Sequence, residues 1–270
     1  MPIPSMPIVP NPAPRPGEID ALMERASNEL VGRRYAEAEE LALEALRMAH
    51  ADSDFERMAR ILLPLQEARR QLRDLAFDSG AVRSVNGELP LQEDLRTGCY
   101  LIEPPRVGVD GRVLRERAAR ARVPVIVVVR EPVTRDGLWP LVAVGPATVR
   151  VKVPLPPTPA PKRASPSKSR ATVRRVAVAP KRTPDAAPLP VPAWFLLANE
   201  ALGDAAIAQV NPALEPRARV EAFYARLAAH PDHEKLHQRL AEACREAALR
   251  PRPALLLGAT NGDRLATDDD

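Results

Sequence analysis

The chain has 270 residues, enough for one large domain or two small ones, and 45% of them are hydrophobic, so a buried core is possible. With two cysteines it is not a disulfide-stabilised secreted scaffold, and a reducing cytoplasm is the expected compartment. The net charge of +4 is modest and excludes a chain that is basic throughout, although the charge is unevenly distributed.

Residues 1–16 alternate proline with small apolar residues and lack the charged start and apolar run of a signal peptide. We therefore predict that they form an extended, disordered, proline-rich lead. No stretch of the chain approaches the ~18 uncharged apolar residues that a membrane-spanning helix requires. The sequence predicts a cytoplasmic protein that does not use a membrane as its partner.

Residues 17–77 carry the clearest pattern in the chain, that of three amphipathic helices. The first helix has its apolar residues on one face of a 3.6-residue period and stops at Gly32. The second begins near Tyr35, and so short a connection forces the two helices to lie side by side and antiparallel. A third helix begins near Asp54 and contains Pro64, which we expect to bend it.

The first two helices carry small and apolar residues at a characteristic spacing: Leu22, Ala26, Tyr35, Ala38 and Ala45. This spacing resembles a tetratricopeptide repeat, a 34-residue helix–turn–helix, over about residues 19–52. The sequence departs from the family's pattern at Leu22, where the family has an aromatic residue, and at His50, where it has proline. The resemblance implies a groove between helices that binds a protein partner. Because such arrays need roughly three repeats, we expect this region to pack against another part of the chain.

Residues 97–153 predict a small α/β unit. Short apolar runs, rich in β-branched residues and typical of strands, occupy four segments: Cys99–Ile102, Val123–Val129, Leu138–Val144 and Ala147–Val153. A helix capped by Asp110 and extending through Arg122 lies between the first two. Residues 78–95 contain turn formers and no regular apolar period, so no helix or strand is predicted there.

The segment from Gly108 to Gly111 precedes this helix and superficially has the form of a phosphate-binding loop. It lacks both the G-x-G-x-x-G and the G-x-x-x-x-G-K-[ST] spacings, and it is short. We therefore predict a capped helix after a turn and no nucleotide site. No serine or cysteine in the chain has the local setting of a catalytic nucleophile.

Residues 154–192 differ sharply in composition, since no acidic residue occurs between Asp136 and Asp185. We predict a disordered, basic, proline-rich linker. Its candidate binding residues are Lys162, Arg163, Lys168, Arg170, Arg174, Arg175, Lys181 and Arg182. Because basic residues without aromatic neighbours suit phosphate backbones and not base stacking, one interpretation is a nucleic-acid-associated accessory function. The other is a tether that its charge keeps extended.

The apolar pattern of residues 193–250 predicts three further helices. Residues 251–270 end in three aspartates, and we expect them to form a disordered acidic tail. The second and third of these helices again resemble a tetratricopeptide repeat, although more weakly. The residues that carry this second resemblance are Phe223, Pro231, Leu240 and Ala241. Arg226 stands where the family has a small residue.

His233, Glu234 and His237 form an H-E-x-x-H motif near the start of the last helix. The motif resembles the active site of the zincin metallopeptidases, which implies two histidine zinc ligands and a glutamate that activates a bound water. Lys235 departs from the uncharged interior of the family's motif, and no third ligand is evident, although Cys244 lies two turns on. We also expect His233 to lie in the first helical turn, near solvent. A zinc site on these residues is the alternative to a protein without a cofactor.

The predicted fold class is α+β, mainly helical, with tetratricopeptide-like antiparallel helices, a small central α/β unit and disordered proline-rich segments. The predicted function is that of a non-enzymatic protein–protein interaction or scaffold protein without a cofactor. We expect Arg25, Arg33 and Arg34, near the helical groove, to contact an acidic protein partner. A nucleic-acid accessory protein and a zinc metallopeptidase are the two alternative functions.

Overall fold

The computed structural model describes residues 16–156 and 190–250. The predicted lead up to residue 15, the predicted acidic tail and the basic residues from Lys162 to Arg182 lie outside this part of the chain. Within it, the chain forms seven α-helices and five β-strands. The predicted α+β, mainly helical class is confirmed.

Three helices come first, the strands and one helix form the middle of the chain, and three helices follow. The helices are α1 (Pro16–Val31), α2 (Tyr35–Ala51), α3 (Phe55–Asp78), α4 (Gly108–Arg120), α5 (Pro192–Ala208), α6 (Pro216–Ala229) and α7 (Glu234–Ala248). The strands are β1 (Val82–Val85), β2 (Gly98–Ile102), β3 (Val125–Arg130), β4 (Trp139–Val144) and β5 (Thr148–Val153).

The five strands form one sheet in sequence order, from β1 to β5. β1, β2 and β3 are parallel, whereas β3, β4 and β5 are antiparallel. Parallel neighbours need a crossover connection, which α4 provides between β2 and β3. β1 lies at the sheet edge, with Val82 opposite Cys99, in a region where the sequence predicted no element. Four residues among turn formers are too few to show the two-residue period of a strand.

Side chains alternate between the two faces of the sheet, and helices cover both faces. Cys99 and Leu101 of β2 point into the larger core, which includes residues of α1 to α3 and α5 to α7. Tyr100 and Ile102 point into a smaller core that contains Leu114 of α4. The central strands are therefore buried on both sides, which explains why their sequences are almost continuously apolar.

The first three helices pack side by side, and the small residues at their contacts are buried: Ala26, Ala38, Ala42 and Ala45. The turn between α1 and α2 places Arg33 in the left-handed conformation, with φ 58°, one position after the predicted stop at Gly32. Asp54 caps α3, because its side chain accepts a hydrogen bond from the backbone N–H of Arg57 at 3.0 Å. α3 then continues through Pro64 to Asp78.

The last three helices complete the larger core. α7 packs along α3, and α5 packs against β5. Trp194 of α5 meets Trp139 of β4 edge to face, with ring centroids 5.4 Å apart. His50 of α2 stacks on Tyr224 of α6, with ring centroids 3.9 Å apart. Residues of α2, α3, α4 and the loop between α6 and α7 line one cavity.

Candidate functional site

A cavity of about 530 Å³ lies between α2, α3, α4 and the α6–α7 loop. We call it the arginine cleft. Its charged lining residues are Arg47, Arg69, Arg73, Arg112, Arg115, Arg122, Glu39, Glu40, Glu116 and Asp232. Six arginines against four acidic residues give the lining a net charge of +2 when all are ionised. Apolar residues such as Leu43, Leu72 and Val125 line the rest of the cavity.

The cleft is built from helix faces that the sequence periodicity defines. Glu39, Leu43 and Arg47 follow one another at steps of four, so α2 presents all three on one face. Arg69 and Arg73, also four residues apart, do the same for α3. α4 contributes further residues at steps of three and four, while the first residue of β3 supplies part of the apolar lining. The cleft cannot be predicted from the sequence of any one helix, because each helix contributes only one wall.

Several cleft arginines are neutralised by acidic neighbours and fix the walls in place. Arg69, which is 8% exposed, donates from Nε to Glu39 at 2.8 Å, and its Nη1 lies 3.1 Å from Nε2 of His237. Arg122 donates from Nη2 to Glu40 at 2.9 Å. The first pair joins α2 to α3 and α7, and the second joins α2 to the end of α4. The pair of Arg69 and Glu39 is largely buried, whereas the pair of Arg122 and Glu40 is half-exposed and contributes little to stability.

Two partly buried charged groups of the cleft, Arg115 and Asp232, form no salt bridge with a described residue. The guanidinium of Arg115 donates to the backbone carbonyl of Ala229 at 3.0 Å and forms no salt bridge with any described residue. Burial lowers its pKa, since the protein interior disfavours the charge. Oδ2 of Asp232, another lining residue, is buried and has no hydrogen-bond partner among the described atoms. Burial raises the pKa of this carboxyl, while the charge of Arg115 opposes that rise.

The H-E-x-x-H residues are used within the protein. Nδ1 of His237 lies 2.9 Å from the backbone oxygen of His233, and its Nε2 faces Arg69. Glu234 accepts a hydrogen bond from Arg73 at 2.6 Å. Both ring nitrogens of His237 and the glutamate are therefore engaged. Within the described ranges, no group of three or more histidine, cysteine or acidic side chains is arranged to hold a metal ion.

The predicted exposure of His233 is wrong. His233 is the residue before α7 and is 1% exposed, because its ring lies against Gly203 of α5. His230 and His237 are equally buried, and burial lowers the pKa of each to about 3. Nε2 of His230 lies 2.9 Å from the backbone oxygen of Asn199. These histidines are neutral at pH 7 and join α7 to α5 and α3.

The arginines predicted to bind a partner lie at another place on the surface. Arg25, Arg33 and Arg34 are exposed near the α1–α2 turn, and none of them lines the cleft. Arg34 forms an ion pair with Glu29. The sequence reasoning missed Arg115 and the other cleft arginines, because they come from segments that are far apart in the chain. The one available signal was the recurrence of arginine at helical steps in α3 and α4.

A second cavity, of about 590 Å³, lies beside β5. It too has basic lining residues, but each of them has an acidic neighbour. Arg150 lies 3.3 Å from Glu131, and Lys152 lies 2.8 Å from Asp136. Arg106, likewise, is 3.5 Å from an acidic residue of α4. Each of these cations therefore forms an ion pair, whereas Arg115 of the arginine cleft forms none with a described residue.

Neither cysteine is expected to react in the folded protein. Cys99 and Cys244 are fully buried, and burial raises the pKa of their thiols to about 11 and about 12. Because the thiolate is the reactive form, a disulfide reagent such as DTNB at pH 7.5 should modify neither thiol in the native protein and both in 6 M guanidinium. Release of one equivalent of chromophore from the native protein within minutes would contradict this assignment.

Comparison of the chain with protein-family models, with curated proteins and with solved structures finds no match in any of the three. The tetratricopeptide resemblance therefore rests on the residues named above. The structure has the helical hairpin of α1 and α2 that the resemblance implies. None of the described helices is long and apolar enough to cross a membrane.

Proposed function

We propose that this protein is a non-enzymatic protein–protein interaction module whose arginine cleft receives an acidic segment of a protein partner. One observation carries the proposal: the half-buried guanidinium of Arg115 forms no salt bridge with any described side chain, although the charges of Asp232 and Glu116 act on it. Burying an unpaired charge is costly, and an acidic ligand would offset that cost. Paired arginines around it supply further donors for carboxylates.

The shape and chemistry of the cleft fit a polypeptide. At about 530 Å³ it falls within the usual range of ligand sites, large enough for several side chains. Leu43 and Leu72 give apolar contact beside the arginines, which matches a segment that alternates acidic and apolar residues. The walls belong to α2 and α3, from the region with the tetratricopeptide resemblance, and to α4 of the α/β unit. Arg25, Arg33 and Arg34 are not required by this proposal.

A charge-reversal experiment tests the site. Arg47 and Arg112 are exposed lining residues of the cleft, so changing both to glutamate should weaken binding with little loss of stability. We expect the affinity for a fluorescein-labelled decaglutamate peptide, measured by anisotropy at 50 mM salt, to fall at least tenfold. Low salt is chosen because screening weakens contacts between exposed charges.

The matched control reverses two exposed arginines away from the cleft. Arg25→Glu with Arg33→Glu changes the net charge by the same amount, and we expect the peptide affinity to stay within twofold of the natural protein. Equal losses in the two double variants would show that the peptide senses net charge and not the cleft. That result, or absence of peptide binding to the natural protein, would overturn the proposal.

A further inference from the structure

The inner end of the arginine cleft combines unused donors with an unused acceptor. Arg115 has five N–H donors, and one of them is used, by the carbonyl of Ala229. Nε of Arg73 is buried without a hydrogen-bond partner, as is Oδ2 of Asp232. Arg73 and Asp232 are neighbours, since Nη1 of Arg73 lies 3.3 Å from the backbone oxygen of Asp232. A fitting ligand must accept hydrogen bonds and also donate one.

A phosphate monoester meets this requirement near neutral pH. Its second pKa is about 6, so a fraction of the groups keeps one proton, which a carboxylate oxygen can accept. Carboxylates and sulfates are fully deprotonated at pH 7 and have no hydrogen to donate to Asp232. Arginine offers phosphate paired N–H donors with suitable geometry.

We propose that Arg73, Arg115 and Asp232 form a subsite for a phosphate monoester, presented as phosphoserine or phosphothreonine on the protein partner. This inference rests on the proposed function. A nucleotide is disfavoured as the source, because none of the residues lining the cleft is aromatic and a base would have no stacking partner. The apolar residues Leu43 and Leu72 instead suit the side chains that flank a phosphorylated residue.

The first experiment uses inorganic phosphate and sulfate as probes of the subsite. Isothermal titration of the full chain at pH 7.0 should show phosphate binding at least tenfold more tightly than sulfate, because the carboxylate of Asp232 accepts the phosphate proton and repels sulfate. In Asp232→Asn the amide can donate to either anion, so the preference should fall below threefold. A merely structural role of Asp232 would not change this ratio.

Several outcomes of the anion titration would overturn the subsite. These are equal affinity of the natural protein for the two anions, an unchanged preference in Asp232→Asn, and no detectable phosphate binding at 20 mM. Arg115→Lys tests the same site without removing the charge. We expect it to weaken phosphate binding at least fivefold, since lysine loses the planar pair of donors.

The second experiment identifies the source of the phosphate. Three peptides of eleven residues, alternating glutamate and alanine, carry serine, glutamate or phosphoserine at the centre. We expect the phosphoserine peptide to bind at least tenfold more tightly than the other two, and inorganic phosphate to displace it. Equal binding of all three peptides would overturn the phosphate inference and leave the acidic-peptide proposal standing. If the protein bound inorganic phosphate but none of the peptides, the proposal that the phosphate is carried by a protein partner would be wrong.

Discussion

Replacing Gly203 with alanine is expected to lower the free energy of unfolding by about 3 kcal/mol, the upper part of the range for overpacked cores. A Cβ atom at this position of α5 would lie 1.9 Å from Cγ of His233 and 2.3 Å from its Cδ2. His233 is itself 1% exposed, so its ring has no open space to enter. Urea denaturation at pH 7.5 measures the loss. It also tests whether the buried position of His233 before α7 is correct.

Two further variants show whether the loss of stability in Gly203→Ala comes from a clash with His233. Gly17→Ala in α1 adds the same methyl group where nothing lies within 4 Å, so it should be neutral or stabilising by up to about 1 kcal/mol. His233→Ala removes the ring, and combined with Gly203→Ala it should show a coupling of at least 1 kcal/mol in a double-mutant cycle. Additive effects of the two substitutions would mean that the two residues do not touch.

Acidification is expected to destabilise the protein well above the pH at which most carboxylates titrate. His230 and His237 have pKa values of about 3 in the folded chain, because burial disfavours their charged forms, against an ordinary value of 6.5. The unfolded chain therefore binds two more protons than the folded chain between these values, and stability falls as the pH decreases. For two histidines, the loss between pH 6.5 and 4.5 is about 4–5 kcal/mol, much of a typical total.

Two neighbouring groups modify this dependence. The pKa of His233 is also lowered by burial, which adds to the loss. The pKa of Asp232 is raised by burial, which has the opposite sign, because the folded chain then takes up a proton more readily than the unfolded one. Because three histidines lower the stability on acidification and one carboxyl raises it, the net effect of acidification is a loss of stability. The positive charges of Arg115 and Arg69 add to the cost of protonating His230 and His237, respectively.

The slope of the free energy of unfolding against pH gives the number of protons that the chain takes up when it unfolds. Urea denaturation at half-unit steps from pH 7 to 4.5 should give a limiting slope of about 2.7 kcal/mol per pH unit, equivalent to two protons. His230→Gln should reduce that slope by about 1.4 kcal/mol per pH unit, whatever its effect on absolute stability. A slope near zero above pH 5 would contradict the neutral, buried state of these histidines.

Strong local patterns were sufficient to predict several elements. The predicted strand over 123–129 is β3 (Val125–Arg130), and the two strands that follow it differ from β4 and β5 by one residue at their starts. Runs of β-branched residues between turn formers strongly favour short β-strands. The buried alanines of α1 and α2 were likewise visible from their spacing. These features depend on residues close together in sequence.

Predictions failed where a distant segment decides the environment. The helix expected to be capped by Asp110 begins three residues earlier, at Gly108, and the Asp110 side chain instead accepts a hydrogen bond from the backbone N–H of Val107 at 2.8 Å. His233 was expected near solvent, but α5 covers it through the gap left by Gly203. β1 became a strand because β2 offers it a parallel partner. In each case the local sequence is compatible with more than one outcome.

The amino-acid sequence was enough to establish the fold class and most of its elements, because helix and strand periodicities express which side of each element must be buried. It could not show the arginine cleft. Arg69, Arg115 and Asp232 are separated by tens to more than a hundred residues, and only the packing of α3 on α7 and of α4 on the sheet brings them around one cavity. The same packing leaves Arg115 without a salt bridge to any described residue. Whether a charge is neutralised depends on its neighbours in space, and those are fixed by tertiary structure.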